Sequence, residues 1–593
     1  MICTICEKGC VIPESETGAC GRYRNDNGTL GELYPDSYLI VCPISAETMP
    51  IMNFYPRAKF LQISTTGCNF DCTGCVSTVV AREVSAESTA LKKLNPQQVV
   101  EKALQEQCIG IAFLMNDPQA SFNTFLKVAE TAKAKGLLVG CSSNGYFTRH
   151  SASALLPYLD FINIGIKGLD DADYRSCGAA AGYRPVLRNI EFFHRNGVHV
   201  ETACIHKKGE DEKALEIART IAGISPDIPL QIMRFIPLED ADIASEPTIR
   251  ESETLHRQVT KILRYVYLFN SPGTDCINTC CPECGELIYE RDFYGPMGSK
   301  LRRSTIPANE KRCPKCGYEL AIRGALSSTS FDEQDFEGGY PFTRALEIIE
   351  GTLATIGVRD QKTIAGCWEA MLKDNGLQKL HGNIQNFEKY AGSIRNFGSM
   401  TGKELEAEKL VANMRERLAL IENRAAAITE RPRVYYVMGT PLFSLEYERL
   451  ENTLVEIAGG TSLNRTLACK GRPGMKVSVE TLNRFNPEVI FISSFMQTPL
   501  DDFYGYCNDL GISVDAVNNR RIYSHPIPCI DFGSPRWILG LMHIAVCLHP
   551  DLFSFDIDAE AKAFYREFYG LDFKREDVNR SFAKPSRGWQ ITT

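Results

Sequence analysis

No stretch of this 593-residue sequence resembles a membrane span, because no apolar run reaches the length needed to cross a bilayer. The opening residues, MICTICEKGC, lack a basic segment followed by an apolar one, so a secretory signal is not expected. Excess positive charge is also missing. The formal net charge is −8, spread over both ends of the chain, which leaves no electrostatic footprint for nucleic acid. There is no internal repeat and no low-complexity tract. These absences predict a soluble cytoplasmic protein that binds neither membrane nor nucleic acid. At 44% hydrophobic and 23% charged residues, the chain has enough apolar content for several cores.

Cysteine, by contrast, is abundant, with 23 residues. In a reducing compartment that number points to metal ligation and not to a disulfide framework. Eleven of the 23 fall into three tight groups: Cys3, Cys6, Cys10 and Cys20; Cys68, Cys72 and Cys75; and Cys281, Cys284, Cys313 and Cys316. Most of the others, such as Cys141 and Cys547, lie in apolar runs and read as small core residues.

From about 60 to 265 short β-like runs alternate with longer amphipathic patterns such as Pro96–Gln107 and Ser121–Lys135. The runs are Phe60–Ser64, Ile109–Met115, Leu137–Ser142, Asp160–Ile166, His199–Ile205 and Pro229–Phe235. Six strands alternating with helices imply right-handed parallel βαβ units. Six is too few to close a barrel of eight, so the expected fold is α/β with an open (β/α)6 partial TIM barrel. Its chemistry should collect at the C-terminal ends of the strands. The polar, Gly/Ser-rich stretch 322–342 reads as a linker. The expected division is a four-Cys element at 1–45, the barrel at 46–270, a small metal-binding element at 271–321, the linker, and a second α/β domain at 343–593. In the last, a long helix spans Thr401 to about Ile428, and strands follow at Arg433–Met438 and Glu488–Ile492.

The loop Thr65-Thr66-Gly67-Cys68-Asn69-Phe70-Asp71-Cys72-Thr73-Gly74-Cys75 directly follows the first strand. Three thiolates so spaced can each bind one iron of a [4Fe–4S] cubane, leaving the fourth iron for an exogenous ligand. The alternative is a zinc loop lacking its fourth ligand. The spacing CxxxCxxC after the first strand of a partial barrel resembles the signature of the radical S-adenosylmethionine (SAM) superfamily. Flanking residues are similar to the branch of pyruvate formate-lyase activating enzymes and of the radical SAM protein of AmmeMemoRadiSam systems. These are Pro50–Pro56, Asn116-Asp117-Pro118, Ser143-Asn144-Gly145-Tyr146, Ile166-Lys167-Gly168, Tyr174-Arg175 with Cys177-Gly178, and Arg234-Phe235-Ile236-Pro237. The resemblance covers residues 1 to about 320. It implies that Cys68, Cys72 and Cys75 hold a [4Fe–4S] cluster that cleaves SAM to a hydrogen-abstracting 5′-deoxyadenosyl radical. It places Asn116 and Asp117 by the SAM amino group, Asn144 near the ribose, and Lys167 near the carboxylate or the substrate. Turn capping is the alternative for Asp117, and a solvated strand end for Lys167. The sequence departs from this pattern at two positions. Gly74 stands where an aromatic residue is usual, and Gly165-Ile166-Lys167 replaces Asp-x-Lys.

The pairs Cys281-x2-Cys284 and Cys313-x2-Cys316, separated by about 28 residues, form a zinc-ribbon or rubredoxin-type signal for zinc or a single iron. Cys276 and Cys280 lie near enough in sequence to exchange into that site. The N-terminal four thiolates suit either a closed zinc site or a second iron–sulfur cluster.

From about 385 onward the chain resembles the metal-chelate (iron or corrinoid) class of ABC-transporter substrate-binding proteins. The similar residues include Met400-Thr401-Gly402-Lys403, Asn486-Pro487-Glu488-Val489-Ile490, Arg521–Pro526 and Gly533-Ser534-Pro535-Arg536. Only about 60 residues precede the long helix, too few for a complete first lobe. His525, Cys529, Asp531 and Arg536 share one loop, and His525 is the candidate metal ligand among them. The functional expectation is SAM cleavage followed by hydrogen abstraction from a substrate, with a metallocofactor or tetrapyrrole-like molecule on the C-terminal domain and a flavodoxin- or ferredoxin-type reductant as partner. The alternatives are activation of a glycyl-radical enzyme and a non-catalytic metallocofactor scaffold.

Overall fold

The computed structural model describes residues 1–238, 241–331, 333, 340–373, 376–467, 473–528, 530–531 and 533–574. Its largest sheet has eight strands: β1 (Ile40–Ser45), β2 (Lys59–Ser64), β3 (Gly110–Phe113), β4 (Leu138–Ser143), β5 (Phe161–Ile166), β6 (His199–His206), β7 (Leu230–Arg234) and β8 (Val266–Phe269). They lie side by side in chain order, from β1 at one edge to β8 at the other. β2 to β8 are parallel, whereas β1 runs antiparallel to β2. All six strands read from the sequence are present. The sheet exceeds that reading by one strand at each edge.

The central strands are buried on both faces, which explains their continuous apolar runs. β1 contains Pro43, opposite Leu61. Proline cannot donate to a ladder, and an edge strand tolerates it because one side needs no donor. The N-terminal element packs on this domain: Cys3, Ile5, Ile12 and Tyr23 join its apolar core, and Glu7 N–H donates to the Tyr146 carbonyl at 2.9 Å.

Three short antiparallel strands (Thr279–Cys280, Leu287–Phe293 and Ser299–Ser304) hold the first CxxC turn between the first two of them, and the second CxxC turn follows the third. In each turn the glycine after the second cysteine has positive φ, +73° at Gly285 and +76° at Gly317. Its N–H donates to the carbonyl of the first cysteine at 2.9 Å.

In the C-terminal domain, Arg433–Val437 and Val489–Ile492 pair in parallel within a six-stranded sheet. The expected long helix spans Glu404–Ala425, with Ala407, Leu410, Val411, Met414, Leu418 and Ile421 forming one buried stripe. It begins three residues later than expected, because Gly402, at φ +66°, ends the preceding helix Phe387–Thr401. Among the described residues from 340 to 403 there are four helices and no strand.

The C-terminal domain does not hang from a free tether. Leu39, Ile40, Ile236, Leu238 and Ile249 share one buried apolar cluster with Leu410, Met414, Phe495 and Trp537. Among the described residues no helix is long and apolar enough to cross a membrane.

Candidate active site

One cavity of about 260 Å³ opens at the C-terminal ends of the parallel strands, where ligands bind in open α/β sheets. Its lining includes Cys68, Cys72, Cys75, Asn116, Asp117, Asn144 and Lys167. The three cysteines are contributed by the loop after β2, the two asparagines and Asp117 by the turns after β3 and β4, and Lys167 by the residue after β5.

These polar groups are for the most part committed to the protein. Asn116 accepts from the Thr65 N–H at 3.1 Å and donates to Thr65 Oγ1 and the Gly67 carbonyl, so it fixes the start of the cysteine loop. Asp117 caps the short helix Pro118–Ser121 through the Gln119 N–H at 3.0 Å. Its other oxygen accepts from the Asn144 N–H and the Ser143 hydroxyl, at 2.7 and 3.0 Å. Burial pushes its pKa up against those hydrogen bonds. Asn144 donates to Asn69 Oδ1 at 2.7 Å and accepts from Gln119 at 3.2 Å.

The thiols differ from one another. Burial pushes Cys68 up to about 12 and raises Cys75 as well. Cys72 is pulled down to about 6, first by a hydrogen bond with Cys177 and then by the charges of Lys167 and Arg82. Lys167 is held protonated by Cys72, Cys177 and Cys75, which outweigh its burial. A cation facing thiolates stabilises their anionic form, the form that ligates metal.

The two departures from the superfamily pattern acquire a physical setting here. A Cβ on Gly74 would lie 3.2 Å from Ala241 and 3.3 Å from the Phe235 ring, at φ +69°. The ring of Phe235, from the end of β7, already fills the space beside the loop, and it lines the cavity. Gly74→Ala is expected to cost about 1–2 kcal/mol through left-handed strain alone, plus the contact with Phe235, read as a lowered denaturation midpoint. At Gly165 a Cβ would meet Lys167 Nζ at 3.6 Å, so the missing carboxylate leaves that ammonium to the thiols.

The sequence reading did not identify several lining residues. Met115, Asn270 and Met297 line the cavity, and all three have positive φ, between 58° and 72°. Such strain clusters at functional sites, but backbone angles cannot be read from composition. Asn270 and Arg234 exchange hydrogen bonds at 2.8 Å, and Asn270 also receives the Met297 N–H. Phe495 comes from the C-terminal domain, after the strand Val489–Ile492. Position after a parallel strand was the available signal, but nothing local revealed a contact across more than 250 residues.

The other metal candidates lie elsewhere. Cys281, Cys284, Cys313 and Cys316 converge, with Sγ···Sγ of 3.6 Å for Cys281–Cys316 and 3.5 Å for Cys284–Cys313. Cys276 and Cys280 are outside that tetrad. Cys3, Cys6, Cys10 and Cys20 line a small separate cavity with Asn69 and Gln119. His525 is not brought to the radical site. Its side chain is 0% exposed, stacked on Tyr436 and Phe491 with Nε2 2.5 Å from the Tyr436 hydroxyl, and burial pulls its pKa down to about 3. Asp531 accepts from Tyr436 and from Ser494, and Arg536 donates to the Pro528 carbonyl. This is a packed loop; Cys529 lies outside the described residues.

Residues 63–221 match the family model of the radical SAM superfamily. The chain carries a radical SAM domain, which marks it as a radical SAM enzyme. Residues 334–526 of this radical SAM enzyme match the periplasmic binding protein model. The uncharacterized protein MJ0808 of Methanocaldococcus jannaschii is 27% identical over 328 residues, covering 54% of this chain and 95% of that protein. The uncharacterized ABC transporter substrate-binding lipoprotein YvrC of Bacillus subtilis is 22% identical over 187 residues, 31% of this chain and 57% of that protein. A periplasmic solute binding protein from Veillonella parvula is similar at 22% identity and a TM-score of 0.29, covering 32% of this chain and 59% of that one. The enzyme thus spans just under six-tenths of the length of these binding proteins.

Proposed function

We propose that this radical SAM enzyme cleaves SAM reductively at Cys68, Cys72 and Cys75 and abstracts hydrogen from a small substrate, with the C-terminal domain serving as lid of the pocket. The single observation carrying this reading is that Phe495 of the C-terminal domain lines the same cavity as the three cysteines.

The donor set fits a [4Fe–4S] cluster: three thiolates on one loop, opposed by Lys167, with a polar shell that fixes the loop. When bound, the cluster supplies the electron that splits SAM into methionine and a 5′-deoxyadenosyl radical. The chain's own residues do the rest. Asn116 and Asn144 hold the loop and the turn facing it. Asp117 offers negative charge on the side expected for the SAM amino group, and Lys167 offers positive charge for a carboxylate. Met115, Met233, Phe235, Ile236, Leu238 and Phe495 give the cavity an apolar wall. Such a wall excludes water and shields a reactive intermediate from side reactions.

We read the sheet domain as the open partial barrel of this superfamily and the reductant as a low-potential flavodoxin- or ferredoxin-type protein. The likeness to substrate-binding proteins favours a small-molecule ligand. The four helices, with no strand, among the described residues from 340 to 403 argue against capture of free ligand in a clamshell, and the contacts at Phe495 favour closure over the radical site.

Anaerobic full-length protein with SAM and dithionite should release 5′-deoxyadenosine. None from a fully loaded cluster would reject the reading. Phe495→Ala should raise SAM cleavage in the absence of substrate several-fold, because the lid no longer excludes solvent. An unchanged rate would remove the C-terminal domain from the pocket's function.

A further inference from the structure

The ribbon cysteines provide an internal standard for zinc. Tetrahedral zinc with sulfur at about 2.3 Å sets its ligands about 3.8 Å apart. The ribbon comes close to that, with sulfur pairs at 3.5 and 3.6 Å and all four sulfurs within 4.8 Å of one another. Among the described residues it is the one group of three or more ligating side chains gathered so closely. The three cysteines of the radical SAM loop are not gathered within that 4.8 Å, as expected when each thiolate binds a different iron. The N-terminal four are likewise not gathered within 4.8 Å of one another; they line an internal cavity together with Asn69 and Gln119.

Asn69 lies in the three-cysteine loop, one residue after Cys68, and its amide reaches both groups. On one side it lines the cavity of the four thiols together with Gln119, to which its amide donates at 3.3 Å, and on the other its Oδ1 lies 3.8 Å from Cys68 Sγ. Donation from Asn144 at 2.7 Å fixes its orientation. Cys3 and Cys6 are buried, whereas Cys10 and Cys20 are partly exposed. The tetrad thus has one end toward solvent and one toward the radical site. A zinc ion would gain nothing from that polarity, since it does not change oxidation state.

We infer that Cys3, Cys6, Cys10 and Cys20 hold a second cubane iron–sulfur cluster, wired through Asn69 to the three-cysteine loop, and not a zinc ion. Its relay role rests on the radical SAM reading above; its metal content does not. A low-potential one-electron donor protein reduces the N-terminal cluster by one electron. That electron passes to the cluster at Cys68, Cys72 and Cys75, and the N-terminal cluster returns to its oxidised state. No bond forms or breaks at the tetrad.

The test uses the full chain reconstituted anaerobically with iron, sulfide and zinc. The variant Cys68→Ala/Cys72→Ala/Cys75→Ala should keep about four irons and four acid-labile sulfides with an electron paramagnetic resonance signal on reduction, and about one zinc at the ribbon. About two zincs and no sulfide would overturn the inference. If that variant does not fold, the wild type decides: about eight sulfides support a second cluster, and about four with two zincs overturn it. In fully reduced wild type the two cluster signals should broaden each other, and Cys6→Ser/Cys10→Ser should leave one sharp signal. Two unbroadened signals in the wild type would reject the wiring. Sulfide in the triple variant is independent of SAM cleavage, so a failure of the radical reading would not be mistaken for a failure here.

Discussion

Cys75→Ala should reduce 5′-deoxyadenosine formation by about 1,000-fold or more, the equivalent of about 4 kcal/mol of transition-state free energy, whereas Cys72→Ala should fall less. The asymmetry comes from Cys177. That thiol and Cys72 shift each other's pKa, Cys72 down and Cys177 up, and the Cys177 backbone carbonyl receives the Asp71 N–H at 3.0 Å, so the segment is tied to the cysteine loop. With Cys72 removed, Cys177 stands beside the vacated position and can supply a substitute thiolate, with Lys167 near enough to favour ionisation. The groups that shift Cys75 most are Cys72, the Ser77 backbone, Lys167 and Arg82, and Cys75 in turn raises Cys68; none of these is a thiol outside the three. The double variant Cys72→Ala/Cys177→Ala should drop to the Cys75→Ala level. Iron content together with 5′-deoxyadenosine yield measures both effects. Equal losses in Cys72→Ala and Cys75→Ala would show that Cys177 cannot ligate.

How much of this was legible in the sequence depends on the kind of signal. The parallel strands were, because burial on both faces leaves continuous apolar runs. The edge strands were not. Pro43 speaks against a ladder until its edge position is known, and Val266–Phe269 is only four residues long. The three cysteine groups were legible from spacing alone, and the residues around the pocket from resemblance. What spacing could not reveal is how polar side chains divide their hydrogen bonds. An amide such as Asn116 can serve a ligand or its own loop equally well. Only the positions of Thr65 and Gly67 show that it serves the loop. His525 is the converse case. Imidazole is a good metal ligand, but here the ring is buried, with Nε2 against the Tyr436 hydroxyl and Nδ1 without a hydrogen-bond partner. Phe495 was invisible because its meaning depends on how two domains dock.

That docking has an energetic centre, and disrupting it should be the most destabilising single change at the interface. Arg234 and Glu246 form an ion pair with both side chains 0% exposed, at 2.8 Å. The same carboxylate receives the Gln497 N–H at 3.0 Å, and Arg234 Nη2 lies 3.3 Å from Met496 Sδ. The pair therefore fixes the segment that begins with Phe495. Glu246→Ala would remove the carboxylate with which this buried guanidinium pairs, a loss expected to cost about 3–5 kcal/mol. Glu246→Ala should lower the urea midpoint sharply and increase hydrogen exchange around residues 495–497. The exposed pair Arg24–Asp26, at 44% and 46% exposure, sets the scale. Asp26→Ala there should change stability by no more than about 1 kcal/mol. Arg234→Met/Glu246→Leu should recover most of the loss, because replacing a buried ion pair by apolar groups of similar volume is often neutral. If the double variant regains stability but still cleaves SAM faster without substrate, the ion pair acts by positioning the lid. If Glu246→Ala proves as mild as Asp26→Ala, the ion pair is not the centre of the docking, which then rests on the shared apolar core and on contacts such as Arg250–Asp509 and Tyr506–Glu253.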